Sequence, residues 1–181
     1  MSIQLNASLL RLKLLDALRS GDNWKIDSLI EDLSSTKATT QTTDLIHLKE
    51  TILHYAVQVS PLSTLQHLVQ SSEKYNLDIN SQDPDGNTTL HLAAAASRLE
   101  VVKYLLSLPN INDTIVNLKK KQPVELCKDL NIAQLMQFER AKFVEKLACD
   151  LRQYFCNRDF DQLEHLLVSN PRASELLDIN G

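Results

Sequence analysis

Histidine and cysteine are the side chains in this sequence that could bind a metal or transfer a proton near neutral pH. They are His47, His54, His67, His91 and His165, and Cys127, Cys149 and Cys156. The histidines are scattered along the chain, and the cysteines lack the paired spacing of a zinc site. The sequence also lacks a glycine-rich phosphate loop and a nucleophile elbow. It therefore predicts neither an enzyme nor a metal or cofactor site.

The elements that position these side chains follow from one stretch, residues 83–106. It begins with a turn at Gly86, and Thr88 is a good cap for a short helix. Apolar residues then recur at helical spacing, first Leu90, Ala93 and Ala94, and later Val101, Val102, Leu105 and Leu106. Between these two helices, Ser97 and Glu100 have the spacing of a capping box. The pattern predicts a turn, a short helix, a second turn and a longer helix.

This unit closely resembles an ankyrin repeat. Thr89 and the pair Ser97 and Arg98 replace the usual Pro and Gly-His. A second copy of the Thr-x-Leu-His motif ends at His54, 37 positions before His91. The resemblance implies that both histidines hydrogen-bond within and between repeats, which is a structural role rather than a catalytic one.

Further repeats are predicted on both sides of these two. Residues 7–33 resemble a divergent first repeat, in which Gly21 ends one helix and Asp22 caps the next. The only tryptophan, Trp24, lies on that second helix, where packing or amphipathic cover is expected rather than ligand binding. A surface loop rich in Ser and Thr is expected at 34–43. Residues 122–138 resemble a decayed repeat. Directly after them, Glu139 and Arg140 occupy positions where leucines are expected.

No glycine or proline follows until Pro171, and the apolar spacing continues. We therefore predict one helix over 139–155, with Cys149 and Cys156 buried as packing residues. The fold class is then an all-α ankyrin-repeat solenoid of paired antiparallel helices, with a long helix joining two sub-arrays. The predicted domains are 1–138 and 139–181. Because residues 177–180 repeat residues 77–80, we expect the chain to be a fragment of a longer array.

Composition agrees with a helical, cytosolic protein. Hydrophobic residues make up 43% of the 181 residues and charged residues 23%, while there are only three glycines. A net charge of −4 gives no electrostatic basis for nucleic-acid binding, and Lys119, Lys120 and Lys121 are interpreted as a solvated loop. No apolar stretch approaches the roughly 20 residues of a membrane helix. The sequence predicts no direct membrane insertion.

Several strings outside the ankyrin consensus carry a closer resemblance, among them residues 53–59, 129–137, 157–160 and 175–181. They are similar to the N-terminal ankyrin region of the long oxysterol-binding protein homologues of yeast, which also carry pleckstrin-homology and sterol-binding domains. The resemblance implies a targeting module for a sterol and phosphoinositide lipid-transfer protein. Its implied location is cytoplasmic and peripheral, at the nucleus–vacuole junction and the Golgi. Lipid would be bound only by the other domains of the parent protein.

The implied partner is a peptide or helix of a membrane-anchored protein. Ankyrin register places a set of small, apolar and polar residues on the concave surface, where such a segment could bind. The predicted partner-binding residues are Arg19, Gln58, Val59, Ala95, Ala96, Asp129 and Leu130. The alternative is an autoregulatory domain or a generic ankyrin adaptor that binds another cytosolic protein.

Overall fold

The computed structural model describes residues 2–35, 51–170 and 172–173. His47, most of the Ser/Thr loop and the motif at 177–180 lie outside these residues. Within the described ranges every regular element is helical. The α-helices are α1 (Ser2–Ser20), α2 (Asn23–Ser35), α3 (Ile52–Val59), α4 (Leu62–Gln70), α5 (Ser72–Tyr75), α6 (Thr89–Ala95), α7 (Leu99–Leu106), α8 (Leu130–Asn157) and α9 (Phe160–Ser169), with a 3₁₀ turn at Pro123–Leu126. The predicted all-α fold of paired antiparallel helices is confirmed.

The chain divides into two compact units, Met1–Pro84 and Asp85–Gly181. In the first unit, α1 packs against α2 and α3. Gly21 ends α1 with a φ of 75°, a left-handed conformation that suits glycine. The Asp22 carboxylate accepts a hydrogen bond from the backbone N–H of Lys25 at 3.1 Å and so caps α2. Both turn signals are confirmed.

The core of the first unit consists of the apolar positions that helical spacing indicates. Each of its helices α1 to α4 contributes two or more fully or almost fully buried side chains. They are Leu14, Ala17, Leu18, Ile26, Ile30, Ile52, Leu53, Ala56, Val57, Leu65 and Leu68. Burying these faces is what stabilises such short helices, because isolated helices of this length are marginal in water.

The second unit begins with the predicted repeat at residues 85–106, which forms α6 and α7. Thr88 precedes α6, and its backbone N–H donates to Nδ1 of His91 at 3.1 Å. The α6 residues Leu90, Ala93 and Ala94 have no solvent exposure. They pack with α7 and with the 3₁₀ turn that follows the next hairpin. The repeat boundary and its buried face therefore agree with the sequence pattern.

The turn between α6 and α7 differs from the predicted capping box. Arg98 occupies the N-cap of α7, and no side-chain hydrogen bond caps that helix. Ser97 instead takes a left-handed conformation with φ of 56°. The ankyrin pattern normally places glycine here, because a Cβ in this region costs about 1–2 kcal/mol. Ser97 therefore keeps the backbone shape of the turn at an energetic cost.

Replacing Ser97 with glycine should stabilise the chain by about 1 kcal/mol, since it removes that Cβ from the left-handed region. Urea denaturation followed by circular dichroism would measure the change. Ala96→Gly is the matched control, because Ala96 has a right-handed backbone with φ of −82°. There glycine only adds backbone freedom to the unfolded chain, so a small loss is expected. Equal effects of the two changes would contradict this account of the turn.

The long helix is present, but it begins earlier than predicted. Helix α8 runs for 28 residues from Leu130, whereas the sequence pattern placed its start at Glu139. The two segments that the sequence analysis separated are one helix because no Gly or Pro lies between them. The Asp129 carboxylate caps the helix by accepting from the N–H of Asn131 at 2.9 Å. The domain boundary at 138/139 remains a prediction.

Arg140, which replaces an expected leucine, belongs to a buried ionic cluster. Its Nε donates to Asp113 Oδ2 at 2.9 Å, and its Nη2 donates to the Asp113 carbonyl at 2.8 Å. Arg172 forms a second ion pair with the same carboxylate, Nε to Oδ1 at 2.7 Å. Asp113 is 2% exposed and Arg172 is 5% exposed. The Asp113 cluster, defined by Asp113, Arg140 and Arg172, thus links three separate segments of the second unit.

Candidate functional site

The two motif histidines have the structural role that the ankyrin resemblance implies. His91 is fully buried, and its Nε2 lies 3.0 Å from the carbonyl oxygen of Lys121 in the next hairpin. His54 is 3% exposed, and its Nε2 lies 3.0 Å from the carbonyl oxygen of Ser81. In both cases the imidazole satisfies a hairpin carbonyl that belongs to the following repeat. Neither histidine is available to a substrate.

The cysteines are not arranged for catalysis, and one prediction about them is wrong. Cys149 and Cys156 are exposed on α8 rather than buried. Burial raises the pKa of the Cys127 thiol, and the carboxylate of Asp129 raises it further. A protonated thiol is a poor nucleophile, so Cys127 is a packing residue. Its sulfur lies 3.6 Å from the sulfur of Met136.

Other titratable side chains form ordinary surface pairs. His67 Nε2 lies 3.0 Å from both carboxylate oxygens of Asp27, which connects α4 to α2. His165 is exposed on α9. In the part of the chain that the structure describes, no group of three His, Cys, Asp or Glu residues could hold a metal ion. The candidate site to consider is the surface on which the sequence placed the partner-binding residues.

The predicted partner-binding residues of the first unit are accessible. Arg19 lies at the end of α1, and Gln58 and Val59 lie at the end of α3. Arg19 and Gln58 are exposed, and Val59 is half-buried. All three occupy the end of the first helix of a repeat, which is the position that register assigned to the concave surface.

The second unit carries the other four predicted residues. Ala95 and Ala96 lie at the end of α6, where Ala95 is half-buried and Ala96 is exposed. At the start of α8, Leu130 is 70% exposed, which is unusual for a large apolar side chain. Asp129 is half-buried and its carboxylate already caps α8. Ala95, Ala96 and Leu130 therefore offer contact surface, whereas Asp129 also has a structural task.

The structure shows a second candidate surface, a groove beside α8 with a volume of about 350 Å³. Its apolar lining comes from α7 and the segment after it, from α8 and from α9. The apolar residues are Leu106, Leu108, Pro109, Phe143, Leu147 and Leu166. A volume of this size accommodates one or two apolar side chains of a docked segment, rather than a whole helix.

Charged side chains surround this groove. Lys142, Lys146 and Arg172 contribute positive charge, and Glu139 and Asp150 contribute negative charge. The Arg172 guanidinium lies 4.3 Å from the centre of the Phe143 ring, a cation–π contact that fixes the end of the groove. Burial lowers the pKa of this guanidinium, while the Asp113 carboxylate opposes the effect. Arg172 thus connects the Asp113 cluster to the lining of the groove.

Trp24 is 80% exposed, so it does not have the buried packing position that was one of its two interpretations. An exposed tryptophan combines a large apolar area with a polar N–H group, and such residues are enriched at protein interfaces. Trp24 lies on the side of α2 that faces away from the buried Ile26 and Ile30. Spacing within one helix does not indicate whether another element covers that side.

These features define an ankyrin-repeat protein with accessible surfaces for a partner. The model of the family "Ankyrin repeats" matches residues 14–116 in three copies. The chain belongs to the ankyrin-repeat family.

Nearly the whole chain is also similar to two proteins of Saccharomyces cerevisiae. Oxysterol-binding protein homolog 1 is 42% identical over 99% of the chain, and oxysterol-binding protein homolog 2 is 38% identical over 98%. The chain spans only 16% and 15% of the lengths of these relatives. The resemblance that the sequence motifs indicated is confirmed.

Solved structures agree with this relationship. The Osh1 ANK domain from Kluyveromyces lactis is 47% identical, with a TM-score of 0.84 over 97% of this chain and 69% of that one. A structure titled Saccharomyces cerevisiae Osh1 ANK - Nvj1 is 42% identical, with a TM-score of 0.83 over 96% of this chain and 70% of that one. Within the described residues, no helix has the length and apolar character needed to cross a membrane.

Proposed function

We propose that this chain is a targeting module, which holds a sterol and phosphoinositide lipid-transfer protein at an organelle contact site by binding a segment of a membrane-anchored protein. The observation that carries the proposal is the complex of the related Osh1 ankyrin domain with Nvj1. The similarity extends over 96% of this chain and 70% of the relative's chain, which supports a related binding surface here. The proposed location is the nucleus–vacuole junction, with the Golgi as a second membrane.

The proposed binding residues lie at helix termini, Val59 in the first unit and Ala95, Ala96 and Leu130 in the second. Small side chains at Ala95 and Ala96 allow the backbone of a partner to approach closely. Leu130 and the half-buried Val59 supply apolar area that a partner would remove from water. In the first unit, Gln58 beside Val59 and Arg19 at the end of α1 are polar and suited to the rim of an interface.

Replacing Ala95 with arginine should weaken partner binding by about 2 kcal/mol or more, which is roughly 30-fold. The long side chain would separate the two surfaces and leave a charge in an apolar contact. Folding stability should be unchanged within about 0.5 kcal/mol, since arginine can extend into solvent from this half-buried position. Calorimetric titration with the Nvj1 of Saccharomyces cerevisiae and localisation of a fluorescent fusion in yeast would measure the loss of binding. Thermal denaturation would measure the folding stability.

Two charge-reversal variants elsewhere on the second unit serve as controls. Lys103→Glu alters an exposed residue of α7 that pairs with Glu100, and it should leave binding intact. Lys146→Glu alters the rim of the groove beside α8. Loss of binding with Lys146→Glu but not with Ala95→Arg would move the site to the groove. A parent chain that neither binds Nvj1 nor accumulates at the junction would contradict the targeting role itself.

A further inference from the structure

The turn at residues 116–121, which we call the lysine turn, combines exposed apolar and positively charged side chains. Leu118 is 75% exposed and Val116 is 47% exposed. Lys119, Lys120 and Lys121 follow directly and are all exposed. A large apolar side chain left in water beside three cations is an arrangement that a hairpin of an ankyrin repeat does not need for its own packing.

The lysine turn is held in one conformation. Asn117 is 6% exposed, and its side-chain oxygen accepts hydrogen bonds from the backbone N–H groups of Lys119 at 2.9 Å and Lys121 at 3.1 Å. Its side-chain nitrogen donates to Asn87 Oδ1 at 2.9 Å. The Leu118 N–H donates to the carbonyl oxygen of Asp85 at 3.1 Å.

The backbone of Gly86 lies directly against the backbone of the lysine turn. A Cβ at Gly86 would lie 2.7 Å from the Leu118 nitrogen, so only glycine permits the observed approach. The side chains of the lysine turn are therefore presented from a fixed backbone. Little conformational entropy of the backbone is lost when such a turn meets a surface.

The charge of the turn is not neutralised within the described part of the chain. None of the side chains of Lys119, Lys120 and Lys121 forms an ion pair or a hydrogen bond there. Asp85 is bonded to the turn through its carbonyl group, and Glu125 accepts from the backbone N–H of Gln122 at 2.7 Å, which leaves its carboxylate negatively charged. The local balance is positive, although the whole chain has a net charge of −4.

We propose that the lysine turn contacts an anionic lipid surface, with Leu118 entering the headgroup region and the three lysines binding lipid phosphates. A bilayer interface accepts an apolar tip and basic side chains at the same time, because the lysine stems extend to the headgroups. Single-stranded nucleic acid would instead require aromatic stacking platforms, and the turn contains no aromatic residue. This contact is independent of the protein partner proposed above.

The expected binding is weak and depends on salt. A lysine near an anionic membrane strengthens binding about fivefold. Three lysines opposed by the neighbouring acidic residues Asp85 and Glu125 leave about one effective charge, and hence roughly fivefold preference for anionic over neutral vesicles. Such a contact resembles a single lipid anchor, which is marginal alone and effective together with a second attachment.

Flotation of the purified 181-residue chain with phosphatidylcholine vesicles, with and without phosphatidylserine, tests the proposal. The variant K119Q/K120Q/K121Q should lose this preference, binding phosphatidylserine vesicles at least about fivefold less than the parent and no better than neutral ones. The matched control K13Q/K103Q/K146Q removes the same charge from exposed positions elsewhere and should bind like the parent. Leu118→Ser should weaken binding several-fold while leaving its salt dependence unchanged.

Three outcomes would overturn the proposal. The first is equal binding of the parent chain to anionic and neutral vesicles. The second is an equal loss in the two triple variants, which would indicate a diffuse charge effect rather than a site. The third is tighter binding of the parent to an RNA homopolymer than to phosphatidylserine vesicles, which would assign the lysine turn to nucleic acid. Circular dichroism of every variant establishes that the helices are intact.

Discussion

Replacing Asp113 with alanine is expected to lower the free energy of unfolding by about 3–5 kcal/mol. The substitution removes the one carboxylate that both Arg140 and Arg172 bind. The side chain of Arg172 is only 6% exposed, so its guanidinium cannot recover the lost interaction from water. Urea denaturation of the parent and the variant, with an unchanged denaturant slope, would measure the loss.

Two further variants distinguish the ionic cluster from a general effect of losing a carboxylate. Glu145→Ala removes an exposed carboxylate from α8 and should cost less than about 0.5 kcal/mol. Adding Arg172→Met to Asp113→Ala should recover part of the loss, because it removes the buried cation left without a partner. An Asp113→Ala variant within about 1 kcal/mol of the parent would show that the cluster carries little of the stability.

Replacing Leu90 with alanine should cost about 2–5 kcal/mol. Leu90 is fully buried on α6, and truncation removes its apolar contacts and leaves a cavity in the repeat. The chain offers a matched control in Leu118→Ala, where the same atoms are deleted from a side chain that is 75% exposed. That control should change stability by less than about 0.5 kcal/mol. Equal denaturant midpoints for the two variants would contradict the assigned core.

Features that depend on neighbouring residues were predictable from the sequence. The buried faces of α6 and α7 follow from apolar spacing at Leu90, Ala93, Val101 and Val102, since a helix repeats every 3.6 residues. The end of α1 follows from Gly21 for a similarly local reason. The resemblance to ankyrin repeats added the roles of the two motif histidines.

Features that depend on distant residues were not predictable. Arg140 is unusual for its position in the repeat, but its partner Asp113 lies 27 positions earlier and no periodicity connects them. The exposure of Cys149, Cys156 and Trp24 depends on which elements cover each helix, and spacing within a helix does not contain that information. The positive φ of Ser97 is different, because the ankyrin pattern has glycine at this position and the local signal was outweighed by a plausible cap at the same residue.

For the candidate site, register correctly identified accessible positions at helix ends. Accessibility alone does not distinguish the concave face from the groove beside α8, because both present apolar and charged side chains. The groove involves α7, α8 and α9 together, so its existence depends on packing rather than on any one motif. The partner-binding residues therefore remain a prediction.

The hydrogen bonds of the two motif histidines have a consequence for how quickly the chain folds. They join residues 27 and 30 positions apart, about one repeat length, so each bond connects neighbouring repeats and requires no more distant part of the chain. The contact of Arg172 with Asp113 spans 59 positions, about twice as many. Doubling a loop adds only about 0.6 kcal/mol of closure entropy. The Asp113 cluster can therefore form late without appreciably slowing the propagation of helices from one repeat to the next.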